Sequence, residues 1–208
     1  IEYTFDIFEY SNGFNTSCGN ECDGSINLSI TGGAAPIDIV WTGPPGFSET
    51  TEDITDLCAG TYTVTTTDGN GCVQSASVTL IEPTPISIDL ESPVFGGGFE
   101  VSCFGANTGS IITTITGGEN GLTFSWTGPN GFTSADQDLQ DLLAGTYDLI
   151  ATDGNGCFAE SSITLTEPAE ALQGVTTVSS YPSGDNISCT GLNDGSISTI
   201  VTGGTEPY

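Results

Sequence analysis

Displaced by 85 residues, the chain lies on itself: Cys18 falls on Cys103, Gly24-Ser25-Ile26 on Gly109-Ser110-Ile111, and Thr31-Gly32-Gly33 on Thr116-Gly117-Gly118. The match continues through Trp41-Thr42-Gly43-Pro44 on Trp126-Thr127-Gly128-Pro129, Ala59-Gly60-Thr61-Tyr62 on Ala144-Gly145-Thr146-Tyr147, and Glu82-Pro83 on Glu167-Pro168. A further displacement of 86 begins a third copy at Ser188-Cys189, with Asp194-Gly195-Ser196-Ile197 and Gly203-Gly204. Residues 1–17 supply the first strands of the first repeat, because Ile1, Tyr3 and Phe5 align with Ile86, Ile88 and Leu90. The body of that repeat is 18–85, the second repeat is 86–170, and 171–208 begin a third. Such self-similarity predicts a longer tandem array of which these residues are a part.

Within each repeat the apolar residues alternate. Ile26, Leu28 and Ile30, then Ile37, Ile39 and Trp41, then Ala76, Val78 and Leu80 follow the period of two that marks strands with one buried face. Gly-Gly, Asp-Gly, Asn-Gly and proline punctuate these runs at the spacing of a small all-β sandwich, and no helical period persists. Residues 62–67 read as a strand, Asp68-Gly69-Asn70-Gly71 as a turn, and Cys72 as the start of the returning strand. Leu57 to Tyr62 resembles the corner that leads into the sixth strand of immunoglobulin-like sandwiches. The fold expected is therefore all-β, a tandem series of immunoglobulin-like sandwiches of about 85 residues, stapled by disulfides. Trp41 and Trp126 fit core plugs on the third strand, with sugar stacking as the alternative.

Charge excludes several partners. There is no Lys, Arg or His against 27 Asp plus Glu, a formal net charge of -27. Nucleic acid and anionic membrane both need a basic surface to displace counterions, and neither is expected as a partner. No window approaches the roughly 18 apolar residues of a spanning helix, so direct membrane insertion is not expected either. Hydrophobic residues still make up 36% of the chain and fall in alternating runs, which separates it from acidic disordered sequences.

Seven cysteines without histidine or zinc-type spacing favour disulfides, and hence an extracellular compartment. The second repeat holds only Cys103 and Cys157, the counterparts of Cys18 and Cys72, so the economical assignment is Cys18–Cys72 and Cys103–Cys157. Each would close a loop of about 55 residues and contribute roughly 4 kcal/mol on the chain-entropy model. Cys189 then awaits a partner beyond Tyr208. Cys22 and Cys58 are both replaced in the second repeat, by Asn107 and Leu143, and their joint absence suggests a pair. Cys58 and Cys72 flank one predicted strand and belong at opposite ends of the sandwich, whereas Cys18 and Cys22 are close in sequence, so the loop around Cys22 must reach across.

Cys103, Thr108 to Ile111, Gly117-Gly118, Trp126, Leu142 to Tyr147, Asp153 to Cys157 and Glu167-Pro168 together resemble the SprB-type repeat of very large Bacteroidetes surface proteins. The first repeat matches at the same places, and Pro207-Tyr208 completes a Gly-Gly-x-x-Pro-Tyr element in the third. The resemblance implies an immunoglobulin-like repeat of a secreted cell-surface protein, exported through the type IX pathway and serving adhesion, gliding or a filament. Cys22, Cys58 and the lack of basic residues depart from its pattern.

Catalysis is not expected, because the usual general bases, oxyanion clamps and Schiff-base nucleophiles are missing. A paired-acid glycosidase is the chemistry that carboxylates leave open, but Asp53 with Asp138 and Asp68 with Asp153 recur in predicted turns and linkers. No cofactor is expected. Calcium is the alternative, with Asp23, Asp68, Asp153 and Asp194 as candidate ligands, against the reading that Asp-Gly and Asn-Gly serve turn geometry. Asn15, Asn27 and Asn186 lie in glycosylation triplets.

The favoured reading is a stalk or fibre of sandwiches whose partners are neighbouring repeats, with other copies in a fibre and surface polysaccharide as further candidates. Freedom from Lys and Arg would also protect it from trypsin-type proteases. The alternatives are a glycan- or protein-binding module using segment 92–100, and a homopolymeric filament assembled by strand exchange.

Overall fold

The structure, a computed structural model, describes residues 1–205 and Pro207; Tyr208, assigned to the third Gly-Gly-x-x-Pro-Tyr element, lies outside the described residues. Seven strands run through the first repeat: β1 (Glu2–Ile7), β2 (Gly24–Thr31), β3 (Ile37–Thr42), β4 (Ser48–Glu49), β5 (Ile54–Leu57), β6 (Gly60–Asp68) and β7 (Val73–Leu80). They pair antiparallel into a β1-β2-β5 sheet and a β4-β3-β6-β7 sheet. This is an immunoglobulin-like order in which the short fourth strand pairs with the third.

The period-two pattern sets which side chains face inward. In β6, Tyr62, Val64, Thr66 and Asp68 are buried while the residues between them are not. Trp41 stands opposite Val64, and Val64 opposite Ala76. Ile26, Leu28, Trp41, Ile54, Leu57, Tyr62, Val64 and Leu80 close into one core, on which Tyr3, Phe5 and Ile7 of β1 pack from the edge. Both tryptophans are fully buried, with their indole N–H groups donating to the carbonyls of Thr51 (3.1 Å) and Asp136 (3.0 Å). They are core plugs, with no face left for sugar stacking.

The tyrosine corner is present twice. Tyr62 Oη donates to the Cys58 carbonyl at 2.9 Å, and Tyr147 Oη to the Leu143 carbonyl at 3.0 Å. Each ring is met edge-on by the phenylalanine of the Gly-Pro-x-Gly-Phe loop, Phe47 at 5.0 Å and Phe132 at 5.3 Å. Gly43 and Gly128 must be small, because a Cβ at either would stand 2.6 Å from the tyrosine ring.

The second repeat reuses the plan with β8 (Ser87–Glu91), β9 (Gly109–Thr116), β10 (Leu122–Thr127), β11 (Thr133–Ser134), β12 (Leu139–Leu142), β13 (Gly145–Asp153) and β14 (Phe158–Leu165). Its sheets are β8-β9-β12 and β11-β10-β13-β14. A last pair, β15 (Gln173–Val178) and β16 (Ile197–Thr202), forms a two-stranded ribbon at the positions of the first two strands. By mutual packing the chain divides into two compact units. The first comprises Ile1–Ile88, Thr114–Phe124 and Ile150–Glu160, and the second the remaining residues.

Candidate functional site

The chemistry the chain can offer is concentrated in the loop after β1, residues 8–23, and in the Asp-Gly-x-Gly-Cys turns. The loop is tied to the far end of β7. Asn15 N donates to the Ile81 carbonyl at 2.9 Å, Ile81 N donates to Asn15 Oδ1 at 2.9 Å, and Asn20 N donates to Glu82 at 2.7 Å. The second repeat makes the same joint with other residues: Val101 N reaches the Thr166 carbonyl at 3.0 Å, Thr166 N reaches Glu100 at 2.8 Å, and Gly105 N reaches Glu167 at 2.6 Å. The Thr166 hydroxyl, then its amide, holds the Glu100 carboxyl below the usual carboxylate range.

The turn at the other end is built on an aspartate. Asp68 Oδ1 accepts the amides of Asn70 and Cys72, each at 2.9 Å, and its other oxygen accepts the Ala34 amide at 3.1 Å. The Cys72 amide, followed by that of Ala34, holds the Asp68 carboxyl below its ordinary range against the opposing effect of burial. Asp153 repeats the arrangement with Asn155, Cys157 and Glu119.

These joints decide the cysteine pairing. Cys18 and Cys72 belong to opposite ends of one eight-residue strand, β7, which spans about 25 Å. That is several times the reach of a disulfide, so the expected Cys18–Cys72 bond does not form. The expected Cys103–Cys157 bond fails for the same reason across β14. Instead Cys18 is bonded to Cys157, with their Cα atoms 5.6 Å apart and a sequence separation of 139. Both lie in the first compact unit, where Ser17, Cys18, Pro83, Thr84, Cys157 and Phe158 line a cleft of about 360 Å³. Cys22 is bonded to Cys58, the residue whose carbonyl receives the Tyr62 hydroxyl. Cys72, Cys103 and Cys189 are exposed thiols.

The segment between the repeats also meets the Gly-Gly pair. Gly118 N donates to the Thr84 carbonyl at 3.1 Å, and Gly117 has φ +76° with the Pro85 carbonyl where a Cβ would stand. In the second unit Gly204 N donates to the Glu170 carbonyl at 2.9 Å, with the Ala171 carbonyl against Gly203 in the same way.

The calcium candidates are all engaged by protein donors. Asp23 accepts the Ser17 amide at 2.9 Å and the Tyr10 hydroxyl at 2.8 Å, and Asp194 accepts the amide and the hydroxyl of Ser188. Burial raises the Asp23 pKa, but the Ser17 and Tyr10 donors outweigh it and the net direction is down. The Ser188 hydroxyl and amide lower that of Asp194. Among the described residues no three His, Cys, Asp or Glu side chains converge as a metal cluster would. Of the sequon asparagines, Asn27 and Asn186 are exposed. Asn15 is half-buried, and its amide nitrogen donates to the Phe8 carbonyl at 3.2 Å.

One use of carboxylates escaped the sequence reading. Asp53 and Asp138 accept the amides of Leu28 and Thr113, both at 2.9 Å, where the β2–β5 and β9–β12 ladders shift register. Their recurrence in both repeats was the available signal.

Strand order, twin tyrosine corners and a repeated turn define a tandem immunoglobulin-like repeat protein. The family model described as the SprB repeat matches residues 100–131 and 184–208, and over those two segments the chain is similar to that repeat. No curated protein sequence matches the chain. Among solved structures, the chain is similar to an amphioxus IgVJ-C2 molecule at 19% identity, covering 78% of this chain and 96% of that one with a TM-score of 0.29. It is also similar to murine CEACAM1b at 12% identity, covering 80% and 100% with a TM-score of 0.28. The immunoglobulin-like assignment rests on the chain's own strand order and corners. No helix among the described residues is long and apolar enough to cross a membrane.

Proposed function

We propose that the chain is a non-catalytic extracellular segment of a surface protein, exported by the type IX route that the SprB resemblance implies, supplying length and mechanical support in adhesion or gliding. The Cys18–Cys157 bond carries this reading. Force applied to the two ends of the chain passes from Cys18 straight to Cys157, so the polypeptide between them, a separation of 139 residues, stays out of the load path. Unfolding of that stretch then adds no length while the bond is intact. A binding module has no need of such a bypass, whereas a tether that must keep its length under drag does.

The test is single-molecule stretching of the chain held at both termini, with and without dithiothreitol. Reduction is expected to release about 450–500 Å of additional contour length, the extended span of the bypassed residues. Equal extension in both conditions would remove the load-bearing role and leave the repeats as spacers or binding modules.

A further inference from the structure

We propose that Cys103 and Cys72 are the two kinds of half-site of a repeating covalent ladder, in which the loop cysteine of each repeat bonds the turn cysteine of the repeat that follows it. Cys18–Cys157 is one rung: Cys18 is the loop cysteine of the first repeat and Cys157 the turn cysteine of the second.

Each free thiol sits where its bonded counterpart sits. Cys72 follows a turn closed by Asp68 N to the Cys72 carbonyl at 3.0 Å, and Cys157 a turn closed by Asp153 N to the Cys157 carbonyl at 2.9 Å. Cys103 stands in a loop fastened to Thr166 and Glu167 as that of Cys18 is fastened to Ile81 and Glu82. The second observation is the surroundings of Cys103. The Gly204 N to Glu170 carbonyl bond reproduces the Gly118 N to Thr84 carbonyl bond beside Cys18. There Ser102, Cys103, Pro168, Glu170, Leu172 and Val201 line a cleft of about 540 Å³, corresponding to the one in which Cys157 meets Cys18. The partner is thus chemically specified: a cysteine at the end of an Asp-Gly-Asn-Gly turn, carried by another SprB-type repeat.

Bond formation needs an oxidant, and a small-molecule disulfide such as oxidised glutathione suffices. The Cys103 thiolate attacks one sulfur and expels a glutathione thiolate. The partner thiolate then attacks the Cys103 sulfur and expels the second. Two protein thiols are oxidised, one glutathione disulfide is reduced, and the two protons pass to the released thiols. The chemistry does not depend on the array bearing load, so mapping and stretching can fail independently.

The experiment is to alkylate the native protein with iodoacetamide before unfolding, digest it without reduction using glutamate- and aromatic-specific proteases, and map the linked peptides by mass spectrometry. Cys103 is expected in a disulfide with a cysteine that follows an Asp-Gly-x-Gly turn. A product of single-chain mass would place that turn in a later repeat of the same polypeptide. A ladder of multiples collapsed by reductant would place it at Cys72 of a second copy. Cys103 recovered alkylated, or bonded to Cys157 while Cys18 bonds Cys72, overturns the proposal. In Cys18→Ser, Cys157 should become alkylated with Cys22–Cys58 intact and the far-ultraviolet circular dichroism unchanged. Re-pairing of Cys157 with Cys103 of the same chain there, at single-chain mass, would also overturn it.

Discussion

Asp23 and Asp194 each accept the amide of a serine six residues upstream, and in the second repeat the Thr108 hydroxyl takes the equivalent Ser102 amide at 2.9 Å. The tyrosine that leans on the carboxylate changes with it: Tyr10 bonds Asp23 and Tyr181 bonds the Asp194 backbone, while Phe95 occupies that place where threonine is present. A neutral hydroxyl therefore does the carboxylate's work in one repeat of three. Asp23→Thr, which keeps an acceptor for the Ser17 amide and gives up only the exposed Tyr10 bond, is expected to shift the melting temperature by no more than about 2 °C, as for a surface change. A larger loss that calcium reverses would reveal a metal role in the parent. The tyrosine corner is less forgiving. Tyr62→Phe deletes the donor to the Cys58 carbonyl at a buried position, and it is expected to cost about 1 kcal/mol in urea unfolding with the m-value unchanged.

At the scale of elements, the β6–β7 turn is held by one carboxylate that gathers three amides, and its depressed pKa fixes the sign of its pH dependence. The folded value lies below the unfolded one, near 4. Its contribution is therefore present in full above that value and is lost as pH falls through the folded one. Asp68→Asn should be less stable than the parent at neutral pH, and the difference should narrow below about pH 4; a gap that stays constant with pH would mean the charge is immaterial. The Gly-Pro-x-Gly-Phe loop gives a steric counterpart. Gly43→Ala drives a methyl into the Tyr62 ring and is expected to cost about 1–3 kcal/mol, whereas Ala at Gly69 meets the Ala35 carbonyl and should disturb the turn instead, separable by near-ultraviolet dichroism of the tyrosine. Strands, turns, corner and buried tryptophans were legible because period two and turn chemistry are local. The Cys18 pairing was not. One loop cysteine and one turn cysteine per repeat is the same count whether bonds close within a repeat or run to the next. Only the length of β7, which sets Cys18 and Cys72 at opposite ends, separates the two. The turn position of Asp53 was legible, but its bond to the Leu28 amide was not, since a break in a ladder is a pairing fact and not a property of the residues on either side.

The whole chain carries a net charge of -27 with no basic side chain to offset it. Folding brings those carboxylates closer together than they are in the unfolded chain, so self-repulsion opposes the compact state. Screening acts on that repulsion directly: the Debye length falls from about 30 Å at 0.01 M to about 8 Å at 0.15 M ionic strength. The melting temperature is therefore expected to rise over that range of sodium chloride. Divalent ions then separate a diffuse atmosphere from a built site. An atmosphere responds to charge and concentration, and magnesium and calcium at equal ionic strength should raise the melting temperature alike. A site of six to eight oxygens prefers calcium, because magnesium holds its water and demands a tighter octahedron. Asp23, Asp68, Asp153 and Asp194 already accept hydrogen bonds from the protein, so a cation would have to displace donors that the loops and turns need. Equal responses to the two ions are the expected result. A calcium increment well beyond that of magnesium, lost in Asp68→Asn or Asp153→Asn, would instead make those turns cation sites and give the uncompensated charge a specific ligand.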